Sequence, residues 1–151
     1  MTTIGCCSMR VIWISMDKKH KDDMTYLTIA EVIAQRSYDN KYKVGAIIEK
    51  HGQILSQGWN GTPSGCDNST RDSSGNTLPT VVHAEANALV KLAKTTGNGD
   101  GATMYCTHSP CYNCSLLLYQ MGVKRVVYRE TYSEEAKEFL TSMGIAVEQI
   151  R

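Results

Sequence analysis

Two short patterns constrain this chain more than anything else in it. His83-Ala84-Glu85 opens one stretch of helical periodicity, and Pro110-Cys111-Tyr112-Asn113-Cys114 opens another. Cys111 and Cys114 are three apart, so their sulfurs share one face of a first helical turn. The free backbone N–H groups of such a turn stabilise thiolates. With His83 at a second helix start, two helix N-termini must converge on one point. One imidazole and two thiolates suit zinc and leave a fourth tetrahedral position for water.

The charge count agrees with that arrangement. Two thiolates cancel the dication, and water bound beside them is lowered towards hydroxide. Glu85 sits two residues from His83. As a fourth ligand it would take the place of water, so the pattern makes it a proton carrier. It would take a proton from water, protonate ring N3 and pass a proton to a leaving amine. As the H-x-E and P-C-x-x-C pattern of zinc-dependent deaminases implies, the expected reaction is hydrolytic deamination of an amidine-like ring carbon. The rival is a closed structural zinc site, with His108 or Cys106 as the fourth ligand. A chain of 151 residues is long enough to fold without such a staple. A lone C-x-x-C would also leave redox use open; joined to Pro110 and an upstream H-x-E it is specific.

The periodicity predicts helices over 22–37, 84–94, 111–121 and 133–143. Asp22 and Asp23 suit the N-terminal end of the first helix. Ala86, Leu89, Val90 and Ala93 are expected inward on the second, and Leu116, Leu117 and Leu118 on the third. Strands are expected over 44–49, 53–59, 102–106, 123–128 and 145–147. The Lys50-His51-Gly52 connection makes the first two an antiparallel hairpin. Residues 60–80 are rich in Gly, Ser, Thr, Asn, Asp and Pro, and a loop this long leading into His83 reads as functional. A hairpin followed by alternating helices and strands implies an α/β fold: a mixed five-stranded sheet with helices on both faces.

Composition limits the partners. The net charge is +1, which argues against a nucleic acid, whose binding needs a basic surface. No apolar run is long enough to span a bilayer, and no signal peptide is recognised. With no secretory signal, the six cysteines fit a reduced, cytoplasmic protein. Residues 1–20 are expected to form an arm on a single domain of 1–151, with Met1 to Met16 a surface arm or edge strand, and adjacent Cys6 and Cys7 incidental thiols.

On these motifs the chain resembles the cytidine deaminase superfamily. More narrowly, it resembles its deoxycytidylate (dCMP) deaminases, phage forms included. The narrower resemblance is carried by residues 43–48 (Lys-Val-Gly-Ala-Ile-Ile), 58–66 (Gly-Trp-Asn-Gly-Thr-Pro-Ser-Gly-Cys), 83–88 and 109–114. It implies a three-layer α/β/α fold, conversion of dCMP to dUMP for thymidylate synthesis, and host cytoplasm for a phage-encoded protein. It implies that Asn60 contacts the sugar, that the Ala84 backbone reads the pyrimidine edge, and that Ser109 and Tyr132 help wall the nucleotide. It also implies activation by dCTP, inhibition by dTTP, magnesium with the effector, and a hexamer. Gly61, Pro63, Gly65, Asp67 and Asn68 are the expected effector contacts.

By residue chemistry alone Asn60, Gly61, Pro63 and Gly65 read as turn formers. For a 5′-phosphate the candidate cations are Arg36, Lys41, Lys43 and Arg71, with Lys43 and Arg36 preferred. Some phage relatives hold a second, structural zinc. Here residues 38–42 lack Cys, 67–82 lack Cys and His, and Cys66 stands alone, so one Zn2+ per chain is expected. Other readings are a deaminase of dCTP, cytidine or tRNA adenosine, and a non-catalytic nucleotide-sensing zinc module.

Overall fold

The computed structural model describes residues 13–151; the Cys6-Cys7 pair and most of the expected arm lie outside it. Residues 13–15 are helical. Helix α1 (Lys18–Ala34) precedes the hairpin β1 (Gly45–Lys50) and β2 (Gln53–Trp59). Then come α2 (Ala84–Ala93), β3 (Thr103–His108), α3 (Tyr112–Gln120), β4 (Arg125–Glu130), α4 (Glu134–Ser142) and β5 (Ala146–Gln149). One sheet runs in the order β2-β1-β3-β4-β5. β1 is antiparallel to β2 and β3, and β3, β4 and β5 are parallel. His51 in the hairpin turn has φ 54° and is exposed, a solvated turn residue.

Strand alternation sorts two layers of core. Ala46, Ile48, Met104, Cys106, Val126 and Tyr128 face α2, α3 and α4 through Ala88, Leu92, Leu118 and Leu140. Ile47, Tyr105 and Val127 face α1 through Leu27 and Ala30. Neighbouring residues on a strand point to opposite faces, so both faces of the central strands are buried under helices. The expected mixed sheet with helices on both sides is what forms.

Several expectations are corrected. α1 begins at Lys18, not Asp22: Asp17 caps it, accepting from His20 N at 2.8 Å. Lys18 to Lys21 are polar and carry no apolar signal. Asp23 is therefore mid-helix and buried. Leu116 and Leu117 are exposed, and only Leu118 of that run is buried. Successive helical residues point about 100° apart, so three in a row cannot share a core face. Val90 and Ala93 are exposed for the same reason, and Ala88 and Leu92 take the inward positions.

Asp23 receives two hydrogen bonds from Arg125, at 2.6 and 2.7 Å, and one from Tyr105 Oη at 2.9 Å. Arg125 also pairs with Glu148. Burial pushes the Asp23 carboxyl up, but the bonds from Arg125 and Tyr105 outweigh it and hold it below the usual range. A depressed carboxyl stabilises the fold above its unfolded pKa and loses that contribution as pH falls through the folded value. Arg125→Leu leaves a buried carboxylate unpaired and is expected to cost about 3–5 kcal/mol. Urea unfolding at pH 7 measures it. Acid should narrow the gap between variant and wild type, because protonation of Asp23 removes the unpaired charge; a gap constant down to pH 3 would contradict this account.

Candidate active site

The site lies where α2 and α3 begin, beside the C-terminal ends of β2 and β3. β2 ends at Trp59, and the carbonyl of Trp59 accepts from Asn87 Nδ2 of α2 at 2.8 Å. Gly58 lets that helix lie directly on the strand. A Cβ there would overlap the Ala84 carbonyl oxygen and stand 2.6 Å from Ala88 N. The Ser56 hydroxyl donates to the Ala88 carbonyl at 2.7 Å, a second tie between the same two elements.

His83 is the N-cap of α2 and Cys111 the N-cap of α3. His83 Nδ1 is 3.4 Å from Cys111 Sγ and 3.7 Å from Cys114 Sγ. All three atoms lie within 4.8 Å of one another. A tetrahedral ion with ordinary zinc–nitrogen and zinc–sulfur bonds would set nitrogen–sulfur separations of about 3.5 Å. The donor set therefore fits zinc in both chemistry and spacing. Cys114 N donates to Cys111 Sγ at 3.4 Å, the contribution of the helix start. The hydrogen bond from Cys114, with that from His83, draws the Cys111 thiol down to about 4; the same contact with Cys111 raises Cys114. His108 and Cys106, the rivals for a fourth ligand, are not in this cluster. Cys106 is fully buried in the core, and His108 ends β3 with Nδ1 3.2 Å from Thr107 Oγ1.

Beside the cluster is a cavity of about 430 Å³, within the range of small-ligand sites. Its walls include His83, Ala84, Glu85 and Cys111, together with Asn60, Ser109 and Tyr132. Glu85 is 3% exposed, and burial pushes its carboxyl up to about 7 against the pull of His83.

Asn60 has a double role that its motif does not show. Its Oδ1 accepts from Val44 N and its Nδ2 donates to the Tyr42 carbonyl, both at 2.8 Å. One N–H of that amide makes no hydrogen bond among the described residues, and Asn60 is among the residues lining the cavity. Ser109 Oγ accepts from Tyr132 N at 2.7 Å and Ser133 N at 3.3 Å, so it shapes the segment carrying Tyr132. Tyr132 is two-thirds exposed at the rim.

The preferred phosphate cations lie elsewhere. Arg36 is stacked 4.3 Å over Trp59, and Lys43 Nζ donates to the Ser37 carbonyl at 2.8 Å. Neither lines the cavity, because adjacency to a strand or helix end does not say which way a long side chain turns. Arg71 does line it, as do Asp39, Tyr42 and Thr77. No spacing in the chain marks these four. Gly61 pairs with Val82, and Cys66 N donates to the Pro63 carbonyl. Pro63, Gly65, Asp67 and Asn68 are exposed and lie outside the cavity walls. Bonds within the loop and to Asp39 shape its later half. Arg71 binds Asp39, an Arg71–Thr77 bridge closes a turn, and Asp72 accepts from Ser74 N and Asn76 N.

No helix among the described residues is long and apolar enough to cross a membrane.

The profile of the cytidine and deoxycytidylate deaminase zinc-binding region matches residues 20–130. The deoxycytidylate deaminase of Enterobacteria phage T4 is 33% identical over 167 residues, spanning 82% of this chain and 86% of that one. That of Mycobacterium phage D29 is 40% identical over 120 residues, spanning 70% and 92%. The crystal structure of dCMP deaminase from cyanophage S-TIM5, in complex with dCMP and dUMP, superposes with a TM-score of 0.84 at 44% identity, covering 89% of this chain and 99% of that one. The chain belongs to the zinc-dependent cytidine and deoxycytidylate deaminase family, and within it is similar to the deoxycytidylate deaminases of phages.

Proposed function

We propose that the chain, as one deaminase domain, hydrolyses dCMP to dUMP and ammonia. One observation carries the reading: His83 Nδ1, Cys111 Sγ and Cys114 Sγ cluster beside a cavity of about 430 Å³ that His83, Cys111 and the buried Glu85 line. His83, Cys111 and Cys114 would hold zinc, which when bound acts as a Lewis acid and brings the pKa of a water close to neutrality.

The remaining chemistry belongs to side chains and backbone. Glu85 takes one proton from the attacking water and gives it to ring N3. It then carries the second proton from the new hydroxyl at C4 to the amine, and the C4–N bond breaks to release ammonia. A carboxyl near neutrality both accepts and returns a proton at low cost, which is what burial of Glu85 provides. The first N–H groups of α2, at Ala84, have no partner within the helix and can read the pyrimidine edge. Asn60 would contact the sugar and Tyr132 would wall the nucleotide, since both line the cavity. Arg36 and Lys43 have no part in this reading.

Supply of dUMP for thymidylate synthesis, activation by dCTP, inhibition by dTTP, magnesium on the effector, a hexamer and a cytoplasmic setting belong to the same reading. They are supported by the resemblance of residues 58–66 to the dCMP deaminases.

Product formation from dCMP, dCTP, cytidine and adenosine, each with and without dCTP or dTTP, tests the reading. Turnover of dCMP, raised by dCTP and lowered by dTTP, is expected. Turnover confined to a nucleoside or to tRNA adenosine would overturn the substrate. Zinc bound with no turnover of any of them would favour the sensing module.

A further inference from the structure

We propose that Arg71 is the specificity residue that takes the 5′-phosphate, with Asp39 as the positioning residue that fixes its guanidinium at the cavity wall. The proposal rests on the reading of the cavity as a pyrimidine nucleotide site. Arg71 is the only Lys or Arg among the described residues lining the cavity, whereas Asp39, Glu85 and Glu130 all line it. Without Arg71 the walls hold three carboxyl groups and no fixed cation other than the metal site, a poor setting for a phosphate dianion. A nucleoside would not meet that penalty.

The geometry leaves Arg71 equipped for the task. Its Nε and Nη2 donate to Asp39 Oδ1 at 3.1 and 3.0 Å, and its Nη1 donates to the Gly75 carbonyl at 2.9 Å. Guanidinium carries five N–H groups, so two remain for a ligand. A planar fork suits phosphate oxygens better than an ammonium does. The guanidinium also lies 5.6 Å over the Tyr42 ring, which limits its swing.

Asp39 is a buried carboxylate that holds both the Arg71 guanidinium and the turn that follows Asp39. It is 1% exposed. Its Oδ1 accepts Lys41 N and Tyr42 N at 2.8 Å each, in addition to Arg71. Its Oδ2 is buried with no partner. Both Arg71 donors thus crowd one oxygen while the other stands free.

The test compares binding of the product dUMP with that of deoxyuridine by calorimetry, on the zinc-loaded protein. Wild type, Arg71→Ala, Arg71→Lys and Asp39→Asn are used. Arg71→Ala is expected to weaken dUMP about 10- to 100-fold and deoxyuridine less than about twofold. Arg71→Lys should fall between, and Asp39→Asn should show the same selective loss in smaller degree. An equal loss for both ligands, or undiminished dUMP binding, overturns the proposal. Where thermal melting shows that Arg71→Ala does not fold, Arg71→Lys decides by the same criterion. Wild-type turnover of dCMP separates the two claims: its absence sinks the parent reading, while intact turnover with no selective loss at Arg71 sinks this one alone.

Discussion

Glu85→Gln is expected to leave zinc bound at wild-type stoichiometry while kcat falls by at least about 10³-fold. The amide is close in size and shape, so His83, two residues away, should keep its place at the helix start. An amide cannot accept and return a proton, and Glu85 is 3% exposed on the cavity wall beside the metal cluster. Metal analysis of the purified variant and single-turnover rates with dCMP are the measurements. Residual activity within tenfold of wild type would mean that the protons travel by another route. Loss of zinc together with activity would mean instead that Glu85 supports the metal cluster.

Gly58→Ala is expected to lower stability by about 3 kcal/mol, the upper part of the usual range for overpacking, and the melting temperature by about 10 °C. The added methyl would overlap the Ala84 carbonyl oxygen and approach Ala88 N to 2.6 Å. Both atoms are backbone of the helix that His83 caps and that carries Glu85 in its first turn. Neither can yield as a side chain does, so the whole helix must lift from β2. Activity should fall at temperatures where the variant is still folded, because His83 would lift away from Cys111 and Cys114. Calorimetric melting with rates at 25 °C checks it. An unchanged melting point would show that the helix has slack here. Gly45 plays the same part beneath α1, where a Cβ would stand 2.7 Å from Ala34 N.

These two residues differ in how they could be read. Glu85 could be singled out from the sequence because its reading is local: a carboxylate two residues from an imidazole at a helix start, which the fold then buries beside the metal cluster. Gly58 could be assigned only to a motif. Its reason is a helix that arrives from more than twenty residues further along the chain. The same contrast runs through the helices. Leu118 and Leu92 reach the core while Leu116, Leu117 and Val90 do not, since the buried stripe follows the direction of approach to the sheet. Asp23 looked like a helix-start charge and is instead a buried partner of Arg125, 102 residues away in the chain.

The chain alone marked the His83, Cys111 and Cys114 cluster, the carboxylate beside it and the layered α/β architecture. Spacing on a helix turn and alternation on a strand are rigid local geometry, and they survive without knowledge of neighbours. What lines the rest of the cavity was decided only by folding. Arg71 faces the cavity and Arg36 and Lys43 do not, because a long flexible cation goes where its partner is. Asp39 supplies that partner for Arg71, Ser37 for Lys43, and Trp59 for Arg36. Such pairings follow how the loops and elements meet, and no period in the sequence records them.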